Sequence, residues 1–121
     1  MKITVITIVY NDEDGILGTL ESVPVSNNNF EFEIIIKDGG SNDKTIDIIN
    51  TFSGKRAVTF ESKEDSVIYN AMNRAVDMAS IDSDYVIYMN SGDMFSDTVI
   101  STLEQNIKYF KGAYDVIVFP I

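Results

Sequence analysis

Apolar runs rich in β-branched residues alternate along this chain with segments whose apolar residues recur at helical spacing. Five runs have the length and composition of buried strands: Ile3–Val9, Phe30–Ile36, Ala57–Phe60, Tyr85–Met89 and Val116–Phe119. The segments between them predict four amphipathic helices: Asp12–Val23, Asp43–Phe52, Ser66–Ala79 and Asp97–Phe110. Such alternation is typical of a parallel sheet with helices on both faces. We therefore predict a single three-layer α/β/α domain over residues 1–121.

Local residue types suggest where the helices begin and what they bury. The first helix is expected to start with Asn11 or Asp12 as its cap, and the second with Ser41 or Asp43, because these side chains accept hydrogen bonds from free backbone N–H groups. Gly54 is expected to end the second helix. The predicted core-facing residues include Ile16, Leu17, Leu20 and Val23 of the first helix, Ile46, Ile49 and Phe52 of the second, and the methionines Met72, Met78 and Met89.

Four of the predicted strands run directly into acids, amides and glycines. The polar clusters are Tyr10-Asn11-Asp12, Lys37 to Asp43, Glu61-Ser62 and Asn90-Ser91-Gly92-Asp93. Because the carboxyl ends of parallel strands share one edge, the clusters should meet where open α/β sheets bind ligands. An acidic, glycine-containing rim suggests a site for a metal ion and a hydroxyl-rich or phosphorylated ligand.

Charge and composition narrow the chemistry of that site. The chain has 19 acids against 9 basic residues and a net charge of −10, so binding to nucleic acid or to an anionic membrane through charge is not expected. It contains no cysteine and no histidine, which excludes thiolate ligands, zinc sites of the usual kind and histidine bases within this chain. A bound metal must therefore take oxygen ligands, as Mg²⁺, Mn²⁺ and Ca²⁺ do.

The polar clusters admit functional and purely structural interpretations. Asp38 at a strand tip could accept hydrogen bonds from a base or a ribose, and Asn90 with Asp93 could ligate a cation that bridges phosphates. Read singly, each cluster is also ordinary turn and cap chemistry. The chain has neither the G-x-G-x-x-G motif of dinucleotide-binding domains nor the G-x-x-x-x-G-K-[ST] motif of P-loops.

Four motifs, in order and at matching spacing, resemble the nucleotide-sugar-binding half of the inverting family-2 glycosyltransferases with the GT-A fold. They cover nearly the whole chain and are Val5-Ile6-Thr7-Ile8-Val9-Tyr10-Asn11, Ile35 to Thr45, Ser62 to Ala75, and Asp84 to Asp93. The resemblance implies a Rossmann-like, mostly parallel sheet and a nucleotide-diphosphosugar donor, typically a UDP-sugar. It also implies transfer to a glycan or lipid-linked acceptor in bacterial polysaccharide or cell-surface glycan synthesis.

The resemblance further implies roles for individual residues. Ile8, Tyr10 and Asn11 would wall the base and ribose, Asp38 would bind the base, and Asp65 would lie near the sugar phosphate. Arg74 would meet the pyrophosphate beside Ser91. Asn90 and Asp93 would hold Mg²⁺ or Mn²⁺ in the position of the family's D-x-D motif. A cytoplasmic location is implied, at the inner face of the membrane, with any peripheral membrane contact made by regions outside this chain.

Two departures from the family pattern shape what we expect of this chain. Asn90 and Gly92 stand where the D-x-D motif has its acids, so Asp93 alone remains acidic, helped by Asn90 and the pyrophosphate. Family members also have about twice this length, and the missing half usually carries the acceptor contacts and the catalytic base. We expect a truncated chain that holds the donor but transfers sugar poorly alone, its catalytic base being unidentified.

Two alternatives remain open at this level. A phosphoacceptor receiver domain has a similar length, acidity and strand–helix alternation, but it needs a lysine after the fifth strand, where this chain has Phe119-Pro120. A catalytically silent nucleotide-binding or assembly domain is compatible with the altered D-x-D motif.

Overall fold

The computed structural model describes residues 1–64, 78, 82–106 and 115–117. Their elements are β1 Lys2–Val9, α1 Ile16–Ser22, β2 Glu31–Asp38, α2 Thr45–Ser53, β3 Thr59–Ser62, β4 Tyr85–Asn90, α3 Val99–Asn106 and β5 Asp115–Ile117. The order confirms the predicted alternation, while the predicted helix at Ser66–Ala79 falls outside the described residues apart from Met78. No helix among the described elements is long and apolar enough to cross a membrane.

The described strands form one five-stranded parallel sheet in the order β3-β2-β1-β4-β5. The central strand β1 pairs with β2 on one side, where Val9 lies opposite Asp38, and with β4 on the other, where Ile8 lies opposite Asn90. The chain thus builds outward through β2 and β3 and then returns to the far side of β1. This reversal makes the carboxyl ends of β1 and β4 the topological switch point of the sheet, where ligands of open α/β folds bind.

The strand order also decides between two interpretations of the sequence. A receiver domain of the flavodoxin-like type has the order 2-1-3-4-5, with β1 and β3 adjacent. Here β3 lies at the sheet edge beside β2, and β4 occupies the place next to β1. The receiver interpretation is therefore wrong.

Side chains on both faces of the sheet are buried, as the three-layer prediction requires. On one face, alternate residues of β1, β2 and β4 join α1, α2 and α3 in a large core cluster, to which Met89 and Leu103 belong. On the opposite face, a smaller cluster is built on Ile6, Ile35 and Val86, and Met78 packs against it. Residues on both faces of the central strands are buried, as in parallel strands covered from both sides, which confirms the Rossmann-like α/β architecture.

Helix α1 is shorter than predicted, and one of its leucines points outward. It begins at Ile16 because residues 12–15 form a turn in which the carbonyl of Asp12 accepts from the N–H groups of Gly15 at 3.3 Å and Ile16 at 3.1 Å. Its seven residues bury Ile16, Thr19 and Leu20, whereas Leu17 is 42% exposed. Placing Leu17 in the core was wrong, because the narrow contact face of so short a helix excludes it.

Helix α2 starts and ends close to its predicted bounds, with one change in the capping residue. The N-cap position is Lys44, and Asp43, one of the two proposed caps, lies one residue earlier and accepts from the Thr45 N–H at 2.9 Å. Ser41 is not a cap, since its hydroxyl donates to the carboxylate of Asp38 instead. The helix ends at Ser53, directly before Gly54.

Candidate functional site

The loops that follow β1, β2, β3 and β4 lie together at the carboxyl edge of the sheet. The loops after β2, β3 and β4 each leave their strand by continuing the backbone pairing for one more residue. Gly39 N–H donates to the carbonyl of Val9 at 2.9 Å, and Ser91 N–H donates to the carbonyl of Ile8 at 3.1 Å. Lys63 N–H donates to the carbonyl of Asp38 at 2.9 Å. The predicted gathering of the polar clusters at one edge is therefore present in the structure.

Asp38 is completely buried at the end of β2 and organises the turn that follows it. One carboxylate oxygen accepts from Gly40 N–H at 2.9 Å, from Ser41 N–H at 2.8 Å and from the Ser62 hydroxyl at 2.7 Å. The other oxygen accepts a short hydrogen bond from the Ser41 hydroxyl. Four donors thus hold the loop after β2 in shape through a single carboxylate. The predicted contact between Asp38 and a base stays a prediction, with this turn-forming role beside it.

Tyr10 forms an open aromatic surface above the first glycine of that turn. Its side chain is 61% exposed. A Cβ added at Gly39 would lie 3.5 Å from the ring carbon Cδ1 of Tyr10, so the ring lies directly over the glycine. Ile8 is half-buried and packs against the smaller core cluster. Of the predicted base wall, Tyr10 alone presents a large exposed side chain, as a stacking surface requires.

Asn11 connects the loop after β1 to the loop after β2. Its N–H donates to the Ser41 hydroxyl at 2.8 Å, and that hydroxyl donates onward to Asp38. Its side-chain oxygen accepts from Asn42 N–H at 2.8 Å. Its φ of 47° is in the left-handed region, which asparagine tolerates better than most residues. Asn11 therefore shapes the loops after β1 and β2 through its backbone as much as through its side chain.

Replacing Asn11 separates these two contributions. Asn11→Ala loses the contact with Asn42 and strains the backbone, and we expect a loss of about 1–2 kcal/mol in unfolding free energy. Asn11→Gly loses the same contact without the strain, so its loss should be smaller by about 0.5–1 kcal/mol. Urea denaturation of both variants measures the difference. A glycine variant as unstable as the alanine variant would show that the backbone conformation is unimportant.

Two further hydrogen bonds extend this connection toward α2. Asp12 N–H donates to the Thr45 hydroxyl at 3.0 Å, and Glu13 N–H donates to the Asp43 carboxylate at 3.3 Å. Hydrogen bonds from Thr45, together with the one from Glu13, hold the pKa of Asp43 below its usual value. The loops after β1 and β2 thus form one continuous hydrogen-bonded rim.

The cluster after β4 is a β-turn with a glycine at its third position. Asp93 N–H donates to the carbonyl of Asn90 at 3.0 Å, and Gly92 has a φ of +99°. A positive φ at the third position is the requirement of a type II turn, which explains the glycine. Asn90 is exposed, and Ser91 and Asp93 are half-buried. The turn places the predicted metal-binding residues Asn90 and Asp93 at its two ends.

The donor atoms of this turn suit a hard cation that brings ligands of its own. In the part of the chain that the structure describes, no three His, Cys, Asp or Glu side chains come together as a metal site. The amide oxygen of Asn90 and the carboxylate of Asp93 are the oxygen donors that Mg²⁺ and Mn²⁺ accept. Because Mg²⁺ usually retains waters and binds through one or two carboxylates plus substrate phosphates, these residues fit such an ion.

Several residues around the site were not identified from the sequence pattern. Thr19 and Ser22 of α1 accept hydrogen bonds from the N–H groups of Gly92 and Phe95. The only indication of their role in the sequence is that Thr19 and Ser22 are polar residues, three positions apart, beside the apolar face of α1. Lys37 is fully buried, and its ammonium group donates to the carbonyl of Lys63 at 3.0 Å.

Lys37 stands in the sequence as a charged residue directly before Asp38. In the structure Lys37 also contacts the distant segment around β3, which the sequence alone does not reveal. Its ammonium nitrogen lies 3.8 Å from a carboxylate oxygen of Glu61 in β3. The contact links the ends of β2 and β3. Two other predicted site residues, Asp65 and Arg74, lie outside the described residues.

Comparison with known sequences agrees with the motifs. The sequence model described as Glycosyl transferase family 2 matches residues 4–120. An uncharacterized glycosyltransferase of Mycobacterium tuberculosis is 35% identical over 106 residues, which cover 84% of this chain and 38% of that protein. The UDP-Glc:alpha-D-GlcNAc-diphosphoundecaprenol beta-1,3-glucosyltransferase WfaP of Escherichia coli is 32% identical over 99 residues, which cover 82% of this chain and 38% of that protein. This chain therefore spans 38% of the length of both relatives.

Comparison with solved structures agrees with the fold. The crystal structure of S. aureus TarS 1-349 in complex with UDP-GlcNAc superposes with a TM-score of 0.76 at 23% sequence identity, over 90% of this chain and 32% of that TarS chain. At this identity the likeness establishes the architecture, and it matches the predicted GT-A type. Since the family's sequence model covers nearly the whole chain and the architecture agrees, the chain belongs to glycosyl transferase family 2.

Proposed function

We propose that this chain is the donor-binding part of a metal-assisted, inverting glycosyltransferase that takes a UDP-sugar as donor. The observation that carries the proposal is the pair of loops at the switch point. The exposed Tyr10 ring lies over Gly39 on one side, and the Asn90–Asp93 turn lies beyond β4 on the other. An aromatic surface suits a base, and an oxygen-bearing turn suits a cation that neutralises a diphosphate.

In this proposal the two loops divide the donor between them. Tyr10 and the loop organised by Asp38 hold the uracil and ribose, and Asn90 and Asp93 hold Mg²⁺ or Mn²⁺ against the diphosphate. A bound cation would stabilise the negative charge of the departing nucleoside diphosphate. The relatives support the choice of donor, because TarS has been crystallised with UDP-GlcNAc and WfaP is named as a glucosyltransferase that uses UDP-Glc.

The rim also accounts for how Asp38 could serve a base although its carboxylate is buried. Three of its four donors belong to Gly40 and Ser41 of its own turn. The fourth is the hydroxyl of the exposed residue Ser62, which reaches it from β3. Rotation of the Ser62 side chain away from Asp38 would free one lone pair of the Asp38 carboxylate for an N–H of the base, while the turn stays intact.

The acceptor and the location are further parts of the proposal. WfaP is named for an acceptor linked to diphosphoundecaprenol, which is a lipid carrier. We infer a glycan or lipid-linked acceptor in bacterial surface glycan synthesis, at the cytoplasmic face of the membrane. We assign no catalytic base. Transfer assays with the intact protein and fractionation of the cells that make it test these two inferences.

Titration with nucleotide tests donor binding directly. We expect calorimetry to show UDP binding that strengthens with Mn²⁺ and exceeds GDP binding. Asp93→Asn removes one charged oxygen contact, so the Kd for UDP in Mn²⁺ should rise about 10–100-fold. Asp97→Asn is the matched control, because it removes an equal charge at an exposed residue outside the turn and should stay within about twofold of the wild type.

The other outcomes separate the parts of the proposal. UDP binding that ignores Mn²⁺ and Asp93 would contradict the metal site and leave the nucleotide site. Equal affinity for GDP would contradict the uracil preference. If UDP and GDP both fail to bind, the chain is a silent domain of the kind that the altered D-x-D motif suggested.

A further inference from the structure

We propose that α1 and the turn that precedes it position the donor-binding turn, through three side chains that hold residues 91–95 in place. The three are Asp12, Thr19 and Ser22, which we call the α1 brace. This inference rests on the proposed function, because it assigns the brace to the loop that would bind the diphosphate and its cation. Each brace residue contacts a different residue of that loop. None of the three lies in the four motifs that carry the family resemblance.

Thr19 is the central contact of the brace. It is fully buried, and its hydroxyl donates to the carbonyl of Gly15, one turn earlier in the chain, at 3.2 Å. With its proton committed there, the oxygen accepts from Gly92 N–H at 2.8 Å. Gly92 is the residue whose φ of +99° defines the turn, so the contact holds the turn at its most specific backbone position.

Ser22 repeats the same arrangement three residues later. Its hydroxyl donates to the carbonyl of Thr19 at 2.7 Å and accepts from Phe95 N–H at 3.0 Å. Phe95 is itself buried in the larger core cluster. The far end of the loop is therefore held by a hydrogen bond to α1 and by apolar burial together.

Asp12 secures the near end of the loop. One of its carboxylate oxygens accepts from Gly15 N–H at 3.2 Å, and the other accepts from the Ser91 hydroxyl at 2.7 Å. The backbone N–H of Asp12 donates to Thr45, which joins the brace to the rim beside Asp38. Asp12 therefore connects the loops of the proposed base and diphosphate subsites.

The physical consequence is that the loop is ordered before a ligand arrives. A short turn that ends in Asn90 and Asp93 brings few protein ligands to a cation, so its affinity depends on how little freedom those residues lose on binding. Hydrogen bonds behind a metal-binding residue fix its orientation, and removing them typically lowers metal affinity about 10–100-fold. The brace makes such hydrogen bonds to Ser91 and Gly92, which lie between the two proposed ligands.

Paired substitutions at Thr19 test the proposal. Thr19→Val keeps the side-chain shape and removes the hydroxyl, whereas Thr19→Ser keeps the hydroxyl. Thr51→Val is the matched control, because the Thr51 hydroxyl also donates to a carbonyl one turn earlier, at 3.0 Å, but on α2 and away from the loop. The measurements are amide hydrogen exchange by NMR at Gly92 and Phe95, and the Kd for UDP with and without Mn²⁺.

We expect Thr19→Val to speed exchange at Gly92 about tenfold and to raise the Kd for UDP in Mn²⁺ about tenfold. Amides of β1 and β2 should keep their protection, and Thr19→Ser and Thr51→Val should resemble the wild type. A general loss of stability would instead speed exchange throughout the sheet. Unchanged exchange at Gly92, or an unchanged Kd in a chain whose Gly92 has become labile, overturns the proposal.

Two further measurements distinguish a failure of the α1 brace from a failure of the variant to fold or of the proposed function. If Thr19→Val does not fold, Ser22→Ala removes a half-buried hydroxyl, and faster exchange at Phe95 with weaker Mn²⁺-dependent UDP binding supports the brace. If the wild-type chain binds no nucleotide at all, the proposed function fails. The exchange rates at Gly92 and Phe95 then decide alone whether α1 holds the loop.

Discussion

Asp38→Ala is expected to lower the free energy of unfolding by about 3–5 kcal/mol, the largest loss among the substitutions considered. The carboxylate is completely buried and serves four donors from Gly40, Ser41 and Ser62. Alanine leaves these donors without an acceptor at the end of a central strand. The measurement is urea denaturation, with the exposed Asp14→Ala as a control that should change stability by about 0.5 kcal/mol or less.

Asp38→Asn separates shaping the loop from contacting the base. The amide oxygen can still accept from the turn N–H groups of Gly40 and Ser41, so this variant should fold with a loss of about 1–2 kcal/mol. If Asp38 touches the base directly, UDP affinity falls about tenfold or more in this folded variant. If Asp38 acts through the loop alone, its UDP affinity stays near the wild-type value. An alanine variant within about 1 kcal/mol of the wild type would contradict the four-donor network itself.

Gly92→Asp, which restores an acid to the family's D-x-D position, is expected to weaken metal-dependent UDP binding. A side chain at this position is strained by the φ of +99°, at a cost of about 1–3 kcal/mol. Its Cβ would also lie 3.6 Å from a carboxylate oxygen of Asp12. The carboxylate of the new side chain would then stand close to that of Asp12, and two like charges about 4 Å apart repel by about 1–4 kcal/mol, depending on their exposure to solvent. We therefore expect a lower melting temperature and a Kd for UDP in Mn²⁺ at least tenfold above that of the wild type.

A small set of variants resolves the two causes. Gly92→Asn carries the strain without the charge, so its difference from Gly92→Asp measures the repulsion by Asp12. The double variant Asp12→Asn with Gly92→Asp should recover part of that difference, in the manner of a double-mutant cycle. Tighter Mn²⁺-dependent UDP binding by Gly92→Asp alone would show that this turn accepts the usual acid and that Asp12 and Gly92 are not a matched pair.

The parallel α/β architecture could be predicted because local patterns determine it: apolar, β-branched runs alternate with segments whose apolar residues have helical spacing. The β1 and β2 segments each contain adjacent apolar, β-branched residues, Val5-Ile6 in β1 and Ile34 to Ile36 in β2, as strands covered on both faces do. Polar residues at their ends then had to meet at one edge, because parallel strands point the same way. For that reason the sequence pattern alone predicts that Tyr10, Asp38 and Asn90 lie at a common site.

The order of the strands required the tertiary structure. Nothing in the sequence of β4 states that it pairs with β1, since pairing depends on packing between segments far apart in the chain. The observed order places β4 beside β1, which puts the switch point between Tyr10 and the turn at Gly92. The length of α1 was also not evident from its pattern, because a turn at residues 12–15 delays its start and leaves Leu17 outside its narrow buried face.

The sequence by itself therefore determined the layers, the edge that carries the polar clusters and the residue types available there. The tertiary structure decided which of those residues are exposed at that edge and which hold the loops. Asp38 proved to be a buried turn organiser, and Thr19 and Ser22, polar residues in an otherwise ordinary helix, proved to hold the loop after β4. The physical reason is that a hydrogen-bonding side chain acquires its role from its partner. The partners of Thr19 and Ser22, the N–H groups of Gly92 and Phe95, lie 73 residues away in the chain.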